Sequence, residues 1–266
     1  MKIYQVDAFT DRVFAGNPAA VVPLREWPDD DRLLAIAGEN NLSETAFFVE
    51  GGDGAADFHL RWFTPRVEVP LCGHATLASA HVLFEHMGFE RDTIRFSTAR
   101  SGELVATRDG ESVRLDFPAC GHESMEVGTP LVRALGRQPA EVYRSGKNLL
   151  CVYDNKREVL EIEPDAGGIE SLDALGVIAT APGTRHDFVS RYFAPGAGVP
   201  EDPVTGSAHC SLAPYWGQRL GKKRLTAHQV SRRGGEMICE LAGERVHLIG
   251  RAVTYLEGEL RIEEDA

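Results

Sequence analysis

Apolar and polar residues alternate along most of this chain, and the alternation gives way to helical spacing at a few places. Residues 2–9 alternate and predict a strand, a Gly16-Asn17-Pro18 turn follows, and residues 19–24 predict its hairpin partner. Residues 29–31 are all acidic and can cap a helix whose apolar positions Leu33, Leu34, Ile36 and Ala37 run to a stop at Gly38 and Asn40-Asn41. Period two then returns over residues 42–50 and puts Glu44 on the same face as Ala46 and Phe48, so a carboxylate shares a face with apolar groups. A strand over 58–64 leads to a helix over 73–87 that is rich in Ala and Leu and almost uncharged in its first three turns, the pattern of a helix buried all round. Strands near 93–97, 103–108 and 113–117 complete a first half built of strands around one apolar helix.

The second half follows the same plan. It predicts strands near 141–144, 149–153 and 159–162, a short helix near 169–175, strands at 177–181 and 187–193, a helix from Gly206 to about Gly217, and four short strands between 225 and 262. One stretch occurs twice: residues 61–81 (RWFTPRVEVPLCGHATLASAH) and residues 191–212 (RYFAPGAGVPEDPVTGSAHCSL). The offset is 130 from Arg61 to Arg191 and from Pro70 to Pro200, and 133 from Gly73 to Gly206, which places three extra residues in the region of Glu201, Asp202 and Pro203. A unit this long exceeds the roughly 20–50 residues of a solenoid repeat. It predicts an α+β chain of two similar domains, 1–118 and 129–266, joined by a Gly-, Pro- and Ser-containing linker over about 119–128.

Composition narrows the partners. With 266 residues, 43% hydrophobic and 26% charged, the chain can build an ordinary globular core. A formal net charge of −12 argues against nucleic acid and anionic membranes, yet leaves room for a small anion held by local dipoles. The five cysteines, Cys72, Cys120, Cys151, Cys210 and Cys239, are odd in number and form no C-x-x-C pair, which suits a reducing cytoplasm. No signal-peptide pattern and no apolar run of about 18 residues is seen, so a soluble intracellular protein is expected.

Chemistry concentrates at the two copies of the repeat. A helix that starts directly after a loop leaves first-turn N–H groups open, and with the helix dipole these attract an anion. Gly73 and Gly206 mark the two starts and small residues follow each. For one copy, close helix packing would explain the glycine; the duplication favours a shared ligand. His74 follows Gly73, Ser207 is its counterpart, and Asp202 precedes the second start. Each alone has a structural reading: a hydrogen-bonding histidine, a turn-opening Asp-Pro, a solvated Glu44. Cys72-x-His74 and His209-Cys210 hint at metal, but no second pair stands at ligand spacing, so neither metal nor cofactor is expected. Phosphate-loop, dinucleotide and nucleophile-elbow motifs are missing from the sequence.

Five segments carry a family resemblance: VDAF at 6–9, GNPA at 16–19, NLSETAF at 41–47, LCGHAT at 71–76 and EDPVTGSA at 201–208. In this order they resemble the PhzF (phenazine-biosynthesis) family of isomerases. The resemblance implies the diaminopimelate-epimerase-like fold, two similar domains that each wrap an antiparallel β-barrel around a central helix, with the site in the cleft between them, and it implies a homodimer. It makes the residue matching Glu44 the acid–base group, and residues matching His74, Asp202 and Ser207 the ones that orient and hydrogen-bond substrate. A carboxyl among apolar side chains suits that role, because desolvation favours its neutral form and lets one group take and return a proton. Related epimerases and proline racemases use two opposed cysteines, whereas here the repeat sets Thr205 against Cys72. A threonine hydroxyl is far too weak an acid to replace a thiol. The expectation is a cofactor-independent isomerase that shifts a proton within a small carboxylic acid, held by N–H groups at Gly73–His74 and Gly206–Ser207. The alternatives are a two-base amino-acid epimerase or racemase, and a non-catalytic binding protein of the same fold.

Overall fold

The opening alternation forms a hairpin of β1 (Lys2–Ala8) and β2 (Asn17–Pro23), followed by α1 (Asp30–Asn40), β3 (Glu44–Glu50), β4 (Phe58–Phe63) and β5 (Glu68–Val69). The apolar helix α2 (Gly73–Glu85) comes next, then β6 (Thr93–Thr98), β7 (Gly102–Asp109), β8 (Ser112–Pro118) and a short β9 (Glu123–Met125). The second half contributes α3 (Thr129–Leu135), β10 (Glu141–Ser145), β11 (Asn148–Val152), α4 (Lys156–Leu160), α5 (Ala166–Glu170), β12 (Gly176–Pro182) and β13 (Phe188–Ala194). It ends with β14 (Val199–Asp202), α6 (Gly206–Leu220), β15 (Arg224–Gln229), β16 (Gly235–Ala242), β17 (Arg245–Gly250) and β18 (Ala252–Glu259). This computed structural model describes residues 1–51, 54 and 56–262. The fold is mixed, with mostly antiparallel strands and few helices, and among the described residues no helix is long and apolar enough to cross a membrane.

The chain divides into two units, Met1–Asp116 with Ile249–Ala266, and Phe117–Leu248. In the first, strands are ordered β18-β1-β2-β3-β4-β6-β7-β8, with parallel joints at β2–β3 and β4–β6 and antiparallel joints elsewhere. The hairpin turn closes at Gly16, where φ is +65° and a Cβ would lie 2.2 Å from the Ala8 carbonyl oxygen, so only glycine fits. Asp29 caps α1 by accepting from the Arg32 N–H at 2.8 Å, and Asn41, at φ 48°, ends it. α1 covers one side of the sheet through Leu33, Ile36 and Ala37 against Val22, Phe47 and Phe63. α2 packs on β1, β2, β3, β7 and β18, and its Leu77, Val82 and Leu83 are fully buried, each worth about 1.5–3 kcal/mol of apolar transfer. Strand β3 therefore feeds two cores. Phe47 points to α1, and by alternation Glu44, Ala46 and Phe48 share the opposite face.

The second unit orders its strands β9-β10-β11-β12-β13-β15-β16, again with two parallel joints, β11–β12 and β13–β15. Over these seven strands the pairing plan is that of β18 to β7 in the first unit, down to a short strand on β4 (β5) and on β13 (β14). Helix α6 contains Pro214, which cannot donate to Cys210 O four residues earlier; the Cys120 N–H takes that carbonyl instead, at 3.0 Å. The repeated Arg-aromatic-Phe makes the same contact twice. Arg61 grips Glu68 with two hydrogen bonds of 2.7 and 3.0 Å and lies 5.0 Å from the Phe63 ring centre; Arg191 grips Glu201 at 2.7 and 3.0 Å and lies 4.8 Å from Phe193.

These twin forks correct the alignment of the repeat. Glu68 and Glu201 are equivalent, as are Val69 and Asp202, which pair with Trp62 and Tyr192, so the offset is already 133 at Glu201. The three extra residues lie earlier, beside the 3-10 turn Pro195–Ala197, and the shared Val-Pro at 69–70 and 199–200 is a coincidence of spelling. Three further expectations change. The linker at 119–128 contains β9, which adds to the edge of β10. The strand expected over 159–162 is instead the end of α4, because Asn155 accepts from the Glu158 N–H at 3.1 Å and starts a helix there. The closing segment 249–266, expected with the second domain, joins the first unit through β18, which pairs with β1 from Lys2↔Glu259 to Ala8↔Ala252. Alternation says that a strand forms, not which strand it pairs with.

Candidate functional site

Glu44 opens β3 next to the start of β2, facing Ala19 across the parallel joint. From that place its Oε2 lies 3.3 Å from Nε2 of His74, the second residue of α2, and the two side chains are 15% and 6% exposed. The other imidazole nitrogen, Nδ1, is 3.2 Å from Nδ2 of the fully buried Asn17 and 3.5 Å from Sγ of Cys72. With the Asn17 amide so oriented its N–H donates to Nδ1, so the neutral ring carries its proton on Nε2, facing the carboxylate. Burial drives the His74 pKa down to about 3, so the ring is neutral near pH 7. The result is a Glu44 carboxylate whose Oε2 stands 3.3 Å from the ring nitrogen of a buried, uncharged histidine.

Cys72, the N-cap of α2, makes no side-chain cap, and neither does Thr205 at the start of α6. Each helix therefore begins with N–H groups that its own cap side chain leaves to another acceptor. In the second unit, the Thr205 hydroxyl donates to Asp202 Oδ2 and its N–H donates to Gln229 Oε1 at 2.9 Å. Gln229 Nε2 donates onward to the Asp202 carbonyl at 2.7 Å and to Thr205 Oγ1 at 3.1 Å. Gly206 is buried behind this network, Ser207 is exposed beyond it, and His209 Nδ1 donates to Thr205 O at 2.8 Å. The structure thus brings Glu44, Gly73 and His74 together in one unit, and Asp202, Gly206 and Ser207 together in the other.

A family model described as "Phenazine biosynthesis-like protein" (PhzC-PhzF) matches residues 6–258. The chain belongs to the PhzC-PhzF family. An uncharacterised isomerase of Pseudomonas aeruginosa is 52% identical to this PhzF-family chain over 98% of it and 99% of the relative. A second, from Halalkalibacterium halodurans, is 47% identical over 97% of each. The crystal structure of a PhzF-family phenazine biosynthesis protein from Enterococcus faecalis superposes with a TM-score of 0.94 at 45% identity, covering 98% of this chain and 99% of that one. With relatives so named, this PhzF-family member is an enzyme of the isomerase class.

Two partners of the site were not among the residues singled out by sequence. Asn17 lies inside the GNPA segment of the PhzF resemblance, so a signal existed, but it reads as a turn residue until β2 is seen to start there. Gln229, at the end of β15, had none: only the parallel pairing of β13 with β15 brings it to Thr205. Cys72, His74 and Glu44 also offer three ligand-type atoms within 4.8 Å of one another. The Cys72-x-His74 spacing could not reveal this because the third member comes from β3.

The buried histidines fix a pH dependence. His74, with a pKa of about 3, and His209, at about 4, are both depressed by burial from an ordinary 6.5. The unfolded chain takes up these protons below about pH 6.5 and the native chain does not. Stability is therefore fully present above that value and falls as pH drops from about 6.5 towards 4, by about 1.4 kcal/mol per pH unit for each histidine. Urea unfolding at a series of pH values should show this slope, and His209→Gln should lower it by one proton whatever its effect on stability at neutral pH. An unchanged slope would mean that His209 is protonated in the native state.

Proposed function

We propose that this PhzF-family protein shifts a proton within a small cyclic or unsaturated carboxylic acid, with Glu44 as the single acid–base group and no cofactor. The observation that carries this reading is the Glu44 carboxylate 3.3 Å from the neutral, buried His74. Glu44 takes a proton from an acidic C–H next to an electron-withdrawing group, the electron pair delocalises towards that group, and the protonated Glu44 returns the hydrogen to another carbon. His74, held by Asn17, orients the Glu44 carboxylate without adding a charge that would make it a poorer base. The substrate carboxylate is taken by first-turn N–H groups at Gly73–His74 and at Gly206–Ser207, supported by two helix starts with no side-chain cap. Asp202 positions the ring or amine of the substrate.

In this reading the two units are the two similar domains of the diaminopimelate-epimerase-like fold, supported by their common strand plan and twin Arg–Glu forks; the enzyme is a homodimer, as the family resemblance implies, and works in the reducing cytoplasm that its odd, dispersed cysteines suit. The rival two-base mechanism requires a second thiol. Thr205 stands at that position and its hydroxyl is committed to Asp202. Cys72→Ser should accordingly keep most of the activity, since in this reading the Cys72 thiol, 3.5 Å from His74 Nδ1, carries no proton of the reaction. A loss of several orders of magnitude in a well-folded Cys72→Ser protein would favour the rival. The direct test of the proposal is substitution of Glu44, with turnover and binding measured separately.

A further inference from the structure

The second unit carries a cluster of titratable side chains apart from its helix start. His228 on β15 and Glu236 on β16 are direct cross-strand partners, so they stand side by side on one face. The turn between β12 and β13 adds His186. That turn is tight at Gly183, where a Cβ would lie 2.2 Å from the His186 carbonyl oxygen, and this holds His186 against the other two. His186 Nε2 lies 3.2 Å from Glu236 Oε1, the two imidazole rings are 5.1 Å apart at 55°, and one ligand-type atom from each of the three residues falls within 4.8 Å of the others. All three line a cavity of about 120 Å³.

We propose that His186, His228 and Glu236 bind one divalent transition-metal ion of the Zn2+ class. The donor set is two imidazoles and one carboxylate, the mixture that suits borderline ions rather than Mg2+ or Ca2+, which prefer all-oxygen shells. The spacing also fits. Two donors bonded at about 2.0–2.1 Å to a tetrahedral ion stand about 3.3–3.4 Å apart, close to the 3.2 Å between His186 and Glu236. His228 already offers a ligand atom within 4.8 Å of both. Lys156 and Arg185 line the same cavity; their charge lowers the affinity below that of a site with more carboxylates, and favours an anion or water in the fourth position.

Titration calorimetry of the chelator-treated, full-length protein with Zn2+ near neutral pH tests this, with Mg2+ as the control. The expected result is a saturable Zn2+ event, no Mg2+ event, and a rise in melting temperature with Zn2+. That event should disappear in His186→Gln and in His228→Gln and persist in Cys72→Ser, which removes a donor from the other cluster. If His228→Gln fails to fold, His186→Gln, a substitution in a surface turn, decides alone. No saturable Zn2+ event in the wild type, or one lost in Cys72→Ser and kept in His186→Gln, would overturn the proposal.

Discussion

Glu44→Gln should fold, bind substrate and turn it over at least about 10²–10⁴-fold more slowly, the range that removal of a positioned general acid–base group costs. The amide keeps the size of the carboxylate, whose Oε2 in the native protein lies 3.3 Å from Nε2 of the uncharged His74. It cannot accept a proton from carbon at any useful rate. Binding, read by calorimetry or by thermal protection, should stay within about tenfold of the wild type, because the proposed carboxylate contacts come from backbone N–H groups and not from Glu44. Near-normal turnover would take Glu44 out of the mechanism and leave the family assignment without a catalyst. Loss of binding together with turnover would make Glu44 a binding residue.

The largest expected effect on stability is at Trp216. Its side chain is 1% exposed, stacks on Phe188 at 5.9 Å and 6°, and meets Tyr215 edge-on at 5.3 Å. Its Nε1–H donates at 2.9 Å to Thr180 Oγ1, which in turn donates to the Val189 carbonyl at 2.7 Å. Trp216→Ala removes the central knob of α6 and opens a cavity over β12 and β13, at a cost of about 3–5 kcal/mol. Trp216→Phe refills most of the volume and loses the hydrogen bond, so it should cost less, about 1–3 kcal/mol. Urea unfolding followed by circular dichroism measures both. A loss below about 1 kcal/mol in Trp216→Ala would mean that α6 is not a core element of this unit.

Much of this was legible in the sequence, and the misses have physical causes. Strands and helices with strong periodicity lie where the pattern puts them: β1, α1 with its Asp29 and Asn41 ends, β3, and the apolar α2. Long-range pairing was not legible. Alternation over 252–259 predicts a strand, yet only the fold says that β18 returns to β1. The repeat is visible in the letters, but its register at Pro200 is not, because two Val-Pro pairs are spelled alike; the Arg191–Glu201 fork, a side-chain contact, decides it. At the candidate site, Glu44, Gly73, His74, Asp202, Gly206 and Ser207 were reached through motifs and family resemblance. Asn17, although inside the GNPA segment, reads as a turn residue, and Gln229 leaves no mark in a one-dimensional pattern until its partner Thr205 is known.

The claim at the centre is that one carboxylate moves the proton. Once turnover of a small unsaturated or cyclic acid is detected, the wild-type reaction should be run in D2O and the product analysed by NMR at the carbon that gains hydrogen. A single base that takes a proton and returns it on the same face of the molecule carries the substrate's own hydrogen across, so the product should retain protium there, with any deuterium confined to that same face. Complete deuteration from solvent on the opposite face would contradict this and would require a second acid, opposed to Glu44, that donates the incoming proton.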